Sequence, residues 1–314
     1  MIIPGILSSS ASGHINYPAG YIMGGYNGSS TNQISTILFS TDAVSNLSAT
    51  LSAASYISAG LSNAGLAGYD AIGNNPAVST INKLTFSTNA VSTLSATLPT
   101  AVDQAMAVSN SGTAGYLFGG SSNSGGNTFT VIQKLTFSGE TTSTLSPTIN
   151  PSRGNRTGAG FGNYGVAGYI AGGYDGLAYV ASIFKWVFST EAISTISPTL
   201  SSGQQSGVAA MSNSGTAGYI SGGDNSGAAA AIQKLAYSND TKSTLSATTF
   251  AALNNPVAVN NYAVGGYFVG GYNMNSSSYT GGISKLLFSN DTTSTLSGSL
   301  STGRSSGAGV HNSI

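Results

Sequence analysis

The strongest constraint on the fold is a sixfold internal repeat. A Gly-Tyr pair recurs every 47 to 53 residues, with its tyrosines at Tyr21, Tyr69, Tyr116, Tyr169, Tyr219 and Tyr267. An aromatic residue followed by serine recurs in step, at Phe39, Phe86, Phe137, Phe188, Tyr237 and Phe288. The sequence SNSGTAGY at residues 109–116 returns unchanged at 212–219, two units later. Such self-similarity indicates copies of one supersecondary unit packed side by side.

Each unit predicts four short strands. They are a small-residue stretch such as 105–108 or 207–211, an AGYxxGG segment such as 114–120 or 167–173, an IxKLxFS segment such as 81–87, and a stretch around Leu94. In the third strand, alternation places Leu84 and Phe86 on one face and Ile81 and Lys83 on the other. Turn-forming Gly, Asn, Asp and Ser residues separate the four segments.

Composition agrees with an all-β protein and excludes several functions. The chain has 43 glycines, and charged residues make up only 6% of it against a usual value of about 25%. Nine basic residues balance nine acidic ones, so no basic field is available to attract nucleic acid or an anionic membrane. No apolar run approaches the roughly 18 residues of a membrane-spanning helix. Cysteine is absent, which excludes disulfides and thiolate sites.

The repeat resembles the kelch family. Its period and four-strand pattern are similar to a kelch unit, and the sequence YIAGGYDG at 169–176 resembles the kelch strand that ends in a double glycine. Arg153 or Arg304 with following glycines resembles the kelch Arg-x-x-Gly, whereas the usual fourth-strand Trp is replaced by Leu or Ile and the single Trp186 lies in a third strand. The resemblance implies an all-β, six-bladed, kelch-like β-propeller of four-stranded antiparallel blades.

The ends of the chain suggest how such a ring would close. Residues 305–314 align with the first strand of a further unit, so we expect 308–310 to complete blade one beside 19–25 and to cover an exposed sheet edge. The predicted organisation is an anchor or tail peptide at 1–15 and a propeller at 16–314. Its units lie near 16–63, 64–110, 111–163, 164–213, 214–261 and 262–314.

The first fifteen residues, MIIPGILSSSASGHI, are similar to the opening of many tailed-phage structural proteins, and the repeats resemble repeat bodies found in such proteins. This resemblance implies a virion protein that is anchored to other virion proteins through a short apolar peptide. The anchor residues would be Ile2, Ile3, Pro4, Ile6 and Leu7. An extended peptide of this kind can add to a neighbour's sheet edge. The alternative is a free tail or an edge strand of blade one.

Charged residues recur at fixed places in the repeat. Five lysines lie three residues before the third-strand aromatic, at Lys83, Lys134, Lys185, Lys234 and Lys285, and five acids lie three residues after it, at Asp42, Glu140, Glu191, Asp240 and Asp291. These charged residues flank a hairpin. The pattern predicts a ring of solvated charges that protects strand edges and favours the turn, and each ion pair would contribute roughly 0 to 1 kcal/mol.

The candidate ligand-binding residues directly follow the double glycines or their equivalent. They are Tyr26 and Asn27, Tyr174 and Asp175, Asp224 and Asn225, and Tyr272 and Asn273. Aromatic rings beside amides or acids on one rim are typical of glycan-binding surfaces, where rings stack on the sugar and polar groups bond its hydroxyls. The alternative is ordinary turn chemistry, since these residue types also favour tight turns.

No catalytic or metal-binding constellation is predicted. The histidines, His14 and His311, lie at opposite ends without a carboxylate nearby in sequence. Sialidases use three arginines, but Arg153 and Arg304 occupy equivalent positions in different units. We therefore expect a non-enzymatic phage virion component without a cofactor: a tail-fibre adhesion protein or capsid-surface decoration that binds other virion proteins and host-surface glycan.

Alternatives are a secreted or cell-surface bacterial lectin or adhesin and, more remotely, a propeller glycoside hydrolase. A surface with a net charge near zero also favours self-association, so copies of this chain are a further expected partner, in a homo-oligomer. Binding to nucleic acid and insertion into a membrane are not expected.

Overall fold

The protein is all-β, as the repeat pattern predicts. The computed structural model describes residues 18–71, 73, 77–122, 128–149, 157–201, 206–223 and 230–313, and these contain 27 strands and no helix. Within this part of the chain there is accordingly no helix long and apolar enough to cross a membrane. Residues 1–15, including all five predicted anchor residues, lie outside the described residues, as do Asp224 and Asn225.

The first half of the chain forms three consecutive units. The first contributes β1 (Ala19–Met23), β2 (Thr31–Leu38) and β3 (Ala43–Ser55). The second contributes β4 (Ala59–Asn63), β5 (Ala67–Ala71), β6 (Ile81–Thr85) and β7 (Ala90–Thr93). The third contributes β8 (Met106–Asn110), β9 (Ala114–Phe118), β10 (Ile132–Thr136) and β11 (Thr141–Thr144).

The second half repeats the pattern with one addition. The fourth unit has β12 (Ala159–Asn163), β13 (Ala167–Ala171), β14 (Ser182–Val187) and β15 (Ala192–Thr199). The fifth has β16 (Val208–Asn213), β17 (Ala217–Gly222), β18 (Ala231–Ala236) and β19 (Thr241–Thr248). The remaining strands are β20 (Leu253–Asn254), β21 (Val257–Asn261), β22 (Gly265–Val269), β23 (Tyr272–Asn273), β24 (Ser278–Tyr279), β25 (Ile283–Leu287), β26 (Thr292–Thr295) and β27 (Ala308–His311).

These strands make seven antiparallel sheets, whereas the sequence predicted six. Six sheets have four strands each, and a seventh has three, β20, β23 and β24. The extra sheet arises because the segment after the double glycine of the last unit forms its own hairpin, which pairs with the linker strand β20. The four predicted strands per unit are confirmed, although the short fourth strands, such as β7, end just before Leu94 and its equivalents. The fold is thus propeller-like and all-β.

The C-terminal strand completes the first sheet, whose order is β27-β1-β2-β3. Val310 pairs with Tyr21 and Ala308 with Met23, as expected from the alignment of the chain ends. The first strand of each sheet also contacts that of the next, from β4 through β8, β12, β16 and β21 to β27, which contacts β4 again. Sheets from the two ends of the chain are therefore neighbours.

The glycine before each repeated tyrosine is a close-packing site. A Cβ added at Gly168 would lie 2.5 Å from Val108 Cγ1, a side chain of the preceding unit. Each of the other five glycines meets an apolar side chain of the preceding unit in the same way, and Gly20 of the first unit meets Val259 of the last. Since a Cβ essentially never fits at such distances, glycine at these positions lets one sheet insert side chains into the next.

The repeated tyrosine, lysine and acid meet between units in a cluster that we call the staple. The Tyr219 ring stacks on Phe288 of the following unit, with centroids 5.1 Å apart. Its hydroxyl donates to Asp291 Oδ1 at 2.8 Å, and Lys234 Nζ bonds Asp291 Oδ2 at 2.6 Å. Lys234 Nζ also lies 5.4 Å from the centroid of the Tyr219 ring. One carboxylate therefore receives a phenol and an ammonium group from the preceding unit.

The staple recurs around the molecule and joins its ends. Lys285 and the Tyr267 hydroxyl, both in the last unit, bond Asp42 of the first at 2.7 Å. The equivalent acids all adopt left-handed φ angles between 49° and 58°, which places each at a hairpin turn. Burial, reinforced by the nearby acid, raises the pKa of Tyr69 to about 12, so its phenol stays protonated and donates.

Between the first and second units, uncharged residues occupy both the lysine position and the acid position of the staple. Thr36 pairs with Tyr21 where the other units have lysine, and Asn89 accepts the Tyr21 hydroxyl at 3.3 Å where they have an acid. Asn89 keeps the left-handed turn with φ 53°. At this interface the lysine and the acid are thus both replaced by uncharged residues. This is expected if an unpaired charge at either position is unfavourable.

The predicted ring of solvated charges is therefore correct about the hairpin turn and wrong about the role. The five lysines and five acids form ion pairs between consecutive units, at 2.5 to 2.7 Å, rather than lining free strand edges. Their side chains are 18% to 32% exposed, so they are partly withdrawn from solvent. Four of the pairs join residues 55 to 57 positions apart and the fifth, Lys285 with Asp42, joins residues 243 apart, which periodicity within one unit does not reveal.

The neutral staple predicts a coupling that can be measured. Replacing Lys234→Thr or Asp291→Asn alone should each lower the free energy of unfolding by about 1 kcal/mol, because the remaining partner keeps its charge but loses its oppositely charged neighbour. The double variant recreates the Thr36 and Asn89 arrangement and should cost less than the sum of the two single changes. Urea unfolding of all four proteins measures this double-mutant cycle. Strictly additive losses would show that the two charges do not depend on each other.

Candidate functional site

The strand directions define two faces. Hairpins between first and second strands, such as residues 64–66, lie on one side, which we call the lower face. Loops that follow the second strands, and the linkers between units, lie on the other, the upper face. Pro18 precedes β1 and its carbonyl accepts the Phe39 amide, so the described chain begins at the lower face. The segment before residue 18 therefore joins the molecule at the lower face.

The upper face carries a cavity of about 350 Å³ that we call the tyrosine cavity. Four half-buried tyrosines line it: Tyr26, Tyr56, Tyr272 and Tyr279. The Tyr26 ring lies 5.0 Å from Tyr56 and 5.7 Å from Tyr279, and Tyr272 lies 5.3 Å from Tyr279. The last two contacts are edge-on, so the rings present both faces and edges to the cavity.

The cavity also contacts a ring of backbone hydrogen bonds at the centre of the upper face. Six residues, one from each inter-unit linker, have φ between 50° and 68° and donate their N–H to the carbonyl of the preceding member. They are Ile57, Gln104, Thr157, Gly207, Asn255 and Ser306. The circle closes where the Ile57 amide donates to Ser306 O at 2.7 Å.

This hydrogen-bond ring holds unfavourable backbone conformations in place. Left-handed φ is costly for branched residues such as Ile57 and Thr157, and it persists only where surrounding structure fixes it. Five of the six members line the tyrosine cavity, all except Gly207. The cavity floor is thus held by backbone hydrogen bonds, and its lining includes amide and hydroxyl side chains.

The tyrosine cavity lies where the first and last units meet. Tyr26 and Ser305 exchange two backbone hydrogen bonds, at 2.8 and 2.9 Å. Arg304, only 1% exposed, secures the same segment: its Nε donates to Gly24 O at 2.8 Å and its Nη2 to Ser35 Oγ at 2.9 Å. Burial lowers the pKa of Arg304 to about 10, so the side chain remains charged at neutral pH.

Only some of the predicted ligand residues come together. Tyr26 and Tyr272 both line the tyrosine cavity, whereas Tyr174 lies elsewhere on the upper face and packs against Tyr179 at 5.5 Å. Asp175 Oδ1 accepts the amide of Ala178 at 2.8 Å. Asn27 is exposed in its turn and is not part of the cavity lining.

The side-chain amide of Asn273 also stabilises a turn. Asn273 Oδ1 accepts the backbone amide of Asn275 at 3.0 Å. For Asp175 and Asn273, the turn interpretation is therefore the one their contacts support. Asp224 and Asn225 lie outside the described residues.

Sequence reasoning missed Tyr56 and Tyr279. Tyr56 lies in a linker between units, and Tyr279 lies on the return strand of the extra hairpin, so neither follows a double glycine. Tyr279 has an equivalent in Tyr179, which pairs with Tyr174 as Tyr279 pairs with Tyr272. That recurrence was the available signal for Tyr279, but the convergence of Tyr56 and Tyr279 on Tyr26 depends on the first and last units being adjacent.

A larger cavity of about 690 Å³ lies between the second and third units. Its lining includes Tyr69, Lys83, Phe137 and Glu140, which form the staple of that interface. Because the same cluster recurs between other units, its residues are accounted for by packing. We therefore place the candidate site at the tyrosine cavity.

Histidine and carboxylate side chains do not cluster in the described part of the chain. These residues include no group of three His, Cys, Asp or Glu side chains that could hold a metal ion. His311 is half-buried in the lining of a small cavity that Gly60, Gly160 and Gly309 also line, and desolvation there lowers its pKa to about 4, so its imidazole is neutral at pH 7. The other histidine, His14, lies outside the described residues, as do Arg153 and Arg156.

One buried acid lies beneath the linker that carries Tyr56. Asp70 of β5 is 2% exposed at a position where the other units have Ile22, Leu117, Ile170, Ile220 and Phe268. Burial raises the pKa of Asp70 to about 7, although hydrogen bonds with Ser58 and Asn82 partly oppose the shift. Ser58 Oγ in turn bonds Ser55 Oγ at 2.8 Å, which connects Asp70 to the turn containing Tyr56.

Asp70 makes stability depend on pH in a defined direction. Because its folded pKa is raised from 3.8 to about 7, the folded state binds the proton more tightly, and stability falls as pH rises between these values. The shift corresponds to a loss on the order of 4 kcal/mol. We expect Asp70→Asn to remove this loss and to be more stable than the parent at pH 8. Urea unfolding of both proteins at pH 4 and pH 8 measures the difference, and an equal difference at both pH values would contradict it.

Similarity to known proteins does not define the function of this site. No protein-family model matches the chain, and no curated protein matches it. The kelch and phage resemblances therefore remain sequence predictions, and the function is argued from the tyrosine cavity and its position.

Proposed function

We propose that the six four-stranded sheets are the blades of a kelch-like β-propeller closed by the C-terminal strand. The repeated glycine contacts, the staple and the hydrogen-bond ring all run from the last unit back to the first, which supports this assignment. In this description the three-stranded sheet is an elaboration on the upper face of the sixth blade. The arrangement provides a rigid platform whose loops can vary independently of the ring.

We further propose that the protein is a non-enzymatic virion component that binds a host-surface glycan in the tyrosine cavity. The observation that carries this proposal is the convergence of four tyrosines over a floor with amide and hydroxyl groups. Tyrosine rings can stack on the apolar face of a sugar ring, and Asn254, Asn255 and Ser306 can bond its hydroxyls. The volume of about 350 Å³ suits a small saccharide unit.

The chemistry of the lining favours binding over hydrolysis. Glycoside hydrolases generally place two carboxylates on either side of the scissile bond. The described lining of the tyrosine cavity contains tyrosine, amide, hydroxyl and aliphatic side chains and no carboxylate. This supports a lectin-like role in preference to the glycosidase alternative.

The position of the cavity supports display from a particle. The cavity lies on the upper face, and the chain preceding Pro18 joins at the lower face, at the opposite end of β1 from Tyr26. A protein attached through its N-terminal peptide would then direct the tyrosine cavity away from the attachment point. Tail-fibre and capsid-decoration locations both fit this orientation.

Binding should depend on individual tyrosines. Tyr26→Ala and Tyr279→Ala should each weaken glycan binding by about tenfold or more, because each removes a stacking surface. Tyr174→Ala is the matched control: it truncates an upper-face tyrosine outside the cavity and should leave affinity unchanged. Glycan-array screening followed by titration calorimetry on the strongest hit measures these affinities, with thermal unfolding to confirm folding. An equal loss of affinity in the Tyr174→Ala control, or no loss of affinity in the cavity variants, would show that the glycan does not bind in the tyrosine cavity.

The virion assignment has its own test. Deleting residues 1–15 should abolish incorporation into particles, because the peptide that would dock on other virion proteins is removed, and should leave glycan binding intact. Particle incorporation is measured by quantitative immunoblotting of purified virions, and an Ile2→Ser, Ile3→Ser, Ile6→Ser variant tests the apolar anchor without shortening the chain. Normal incorporation of the deletion variant would favour a secreted or cell-surface lectin instead.

A further inference from the structure

The lining of the tyrosine cavity is uncharged throughout its described part. The eleven described residues that line it are tyrosines, asparagines, serines, one glutamine, one threonine and one isoleucine. Apart from the four phenols, none of these side chains is ionisable: the described lining contains no acid, lysine, arginine or histidine. Every polar group that a ligand meets there is a neutral donor or acceptor.

The described ionisable residues adjacent in sequence to the lining point away from it. Arg304 precedes Ser305, but its guanidinium is buried and donates to oxygens of Gly24, Gln33, Ile22 and Ser35 in the first sheet. Asp103 precedes Gln104 and is fully buried, where it accepts the Ser121 hydroxyl. Both charges are thus used inside the fold.

This distribution has a consequence for the ligand. An anionic sugar such as a sialic acid, a uronic acid or a sulfated residue would lose hydration on entering the cavity without gaining a cationic partner. A neutral sugar offers hydroxyls that match amides and phenols, and apolar C–H faces that match the rings. We infer that the ligand of the tyrosine cavity is a neutral saccharide, an inference that rests on the proposed glycan-binding function.

Asn254 supports a ligand that donates hydrogen bonds. Its Oδ1 is buried without a hydrogen-bond partner within the described residues, although Asn254 belongs to the cavity lining. A small rotation of this amide would offer an acceptor to a sugar hydroxyl. Hydroxyl groups can donate to it, whereas a carboxylate or sulfate group can only accept.

A charge-matched glycan panel tests the inference. The full chain is applied to immobilised neutral glycans and to the same glycans capped with sialic acid or carrying sulfate, and the strongest pair is titrated at low and high sodium chloride. We expect the neutral member to bind about tenfold or more tightly than its charged counterpart. Its affinity should also be independent of salt, because no ion pair contributes.

The outcomes separate the two proposals. Tighter binding of the charged member, weakened by salt, would overturn the neutral-ligand inference while leaving glycan binding in place. Binding of no member would overturn glycan binding itself and the inference with it. Arg156→Gln is the control variant, because Arg156 directly precedes Thr157 and lies outside the described residues. The variant should keep the neutral preference of the parent. If the parent instead prefers the charged member, loss of that preference in the variant would assign it to Arg156.

Discussion

The contact between consecutive units is the interaction on which the rest of the structure depends. The hydrophobic clusters are shared between units: one contains Ile22 and Phe39 of the first unit together with Val259 and Tyr267 of the last. Each glycine slot and each staple lies at such a boundary, and each repeated tyrosine stacks on an aromatic residue of the neighbouring unit, so a single sheet leaves its apolar face uncovered. The two terminal units would be left incomplete unless they meet, and this requirement brings the chain ends together.

The same boundaries explain the unusual composition. Five of the nine basic and five of the nine acidic residues belong to staples, so more than half of the charge serves the contacts between units. The outer strands, such as β11 and β26, expose serine and threonine instead. A low-charge surface leaves few ionic groups to define a ligand, and aromatic stacking with neutral hydrogen bonds becomes the chemistry available for recognition.

Sequence periodicity predicted the units, the four strands in each and the pairing of residues 308–310 with the first unit, because these features depend on patterns within one repeat. It did not predict the staple, since Lys234 and Asp291 belong to different units and their contact depends on how neighbouring sheets pack. It selected Tyr26 and Tyr272 as candidates through the double glycines and missed Tyr56 and Tyr279, which do not follow a double glycine. Asp175 and Asn273 accept backbone amides of their own turns, so the residue types after the double glycines did not distinguish residues of the candidate site from turn residues.

The location of the tyrosine cavity connects recognition to ring closure. Tyr26 and Tyr56 come from the start of the chain, Tyr272 and Tyr279 from its last unit, and the left-handed residues beneath them are held by a hydrogen-bond circle that includes Ser306. A partly open ring would separate these tyrosines and release the unfavourable φ angles of the floor. A ligand that binds only the closed arrangement must therefore stabilise the closed ring, by an amount set by its concentration relative to its dissociation constant. Under the proposed function, a bound glycan would reinforce the contact between the first and last units.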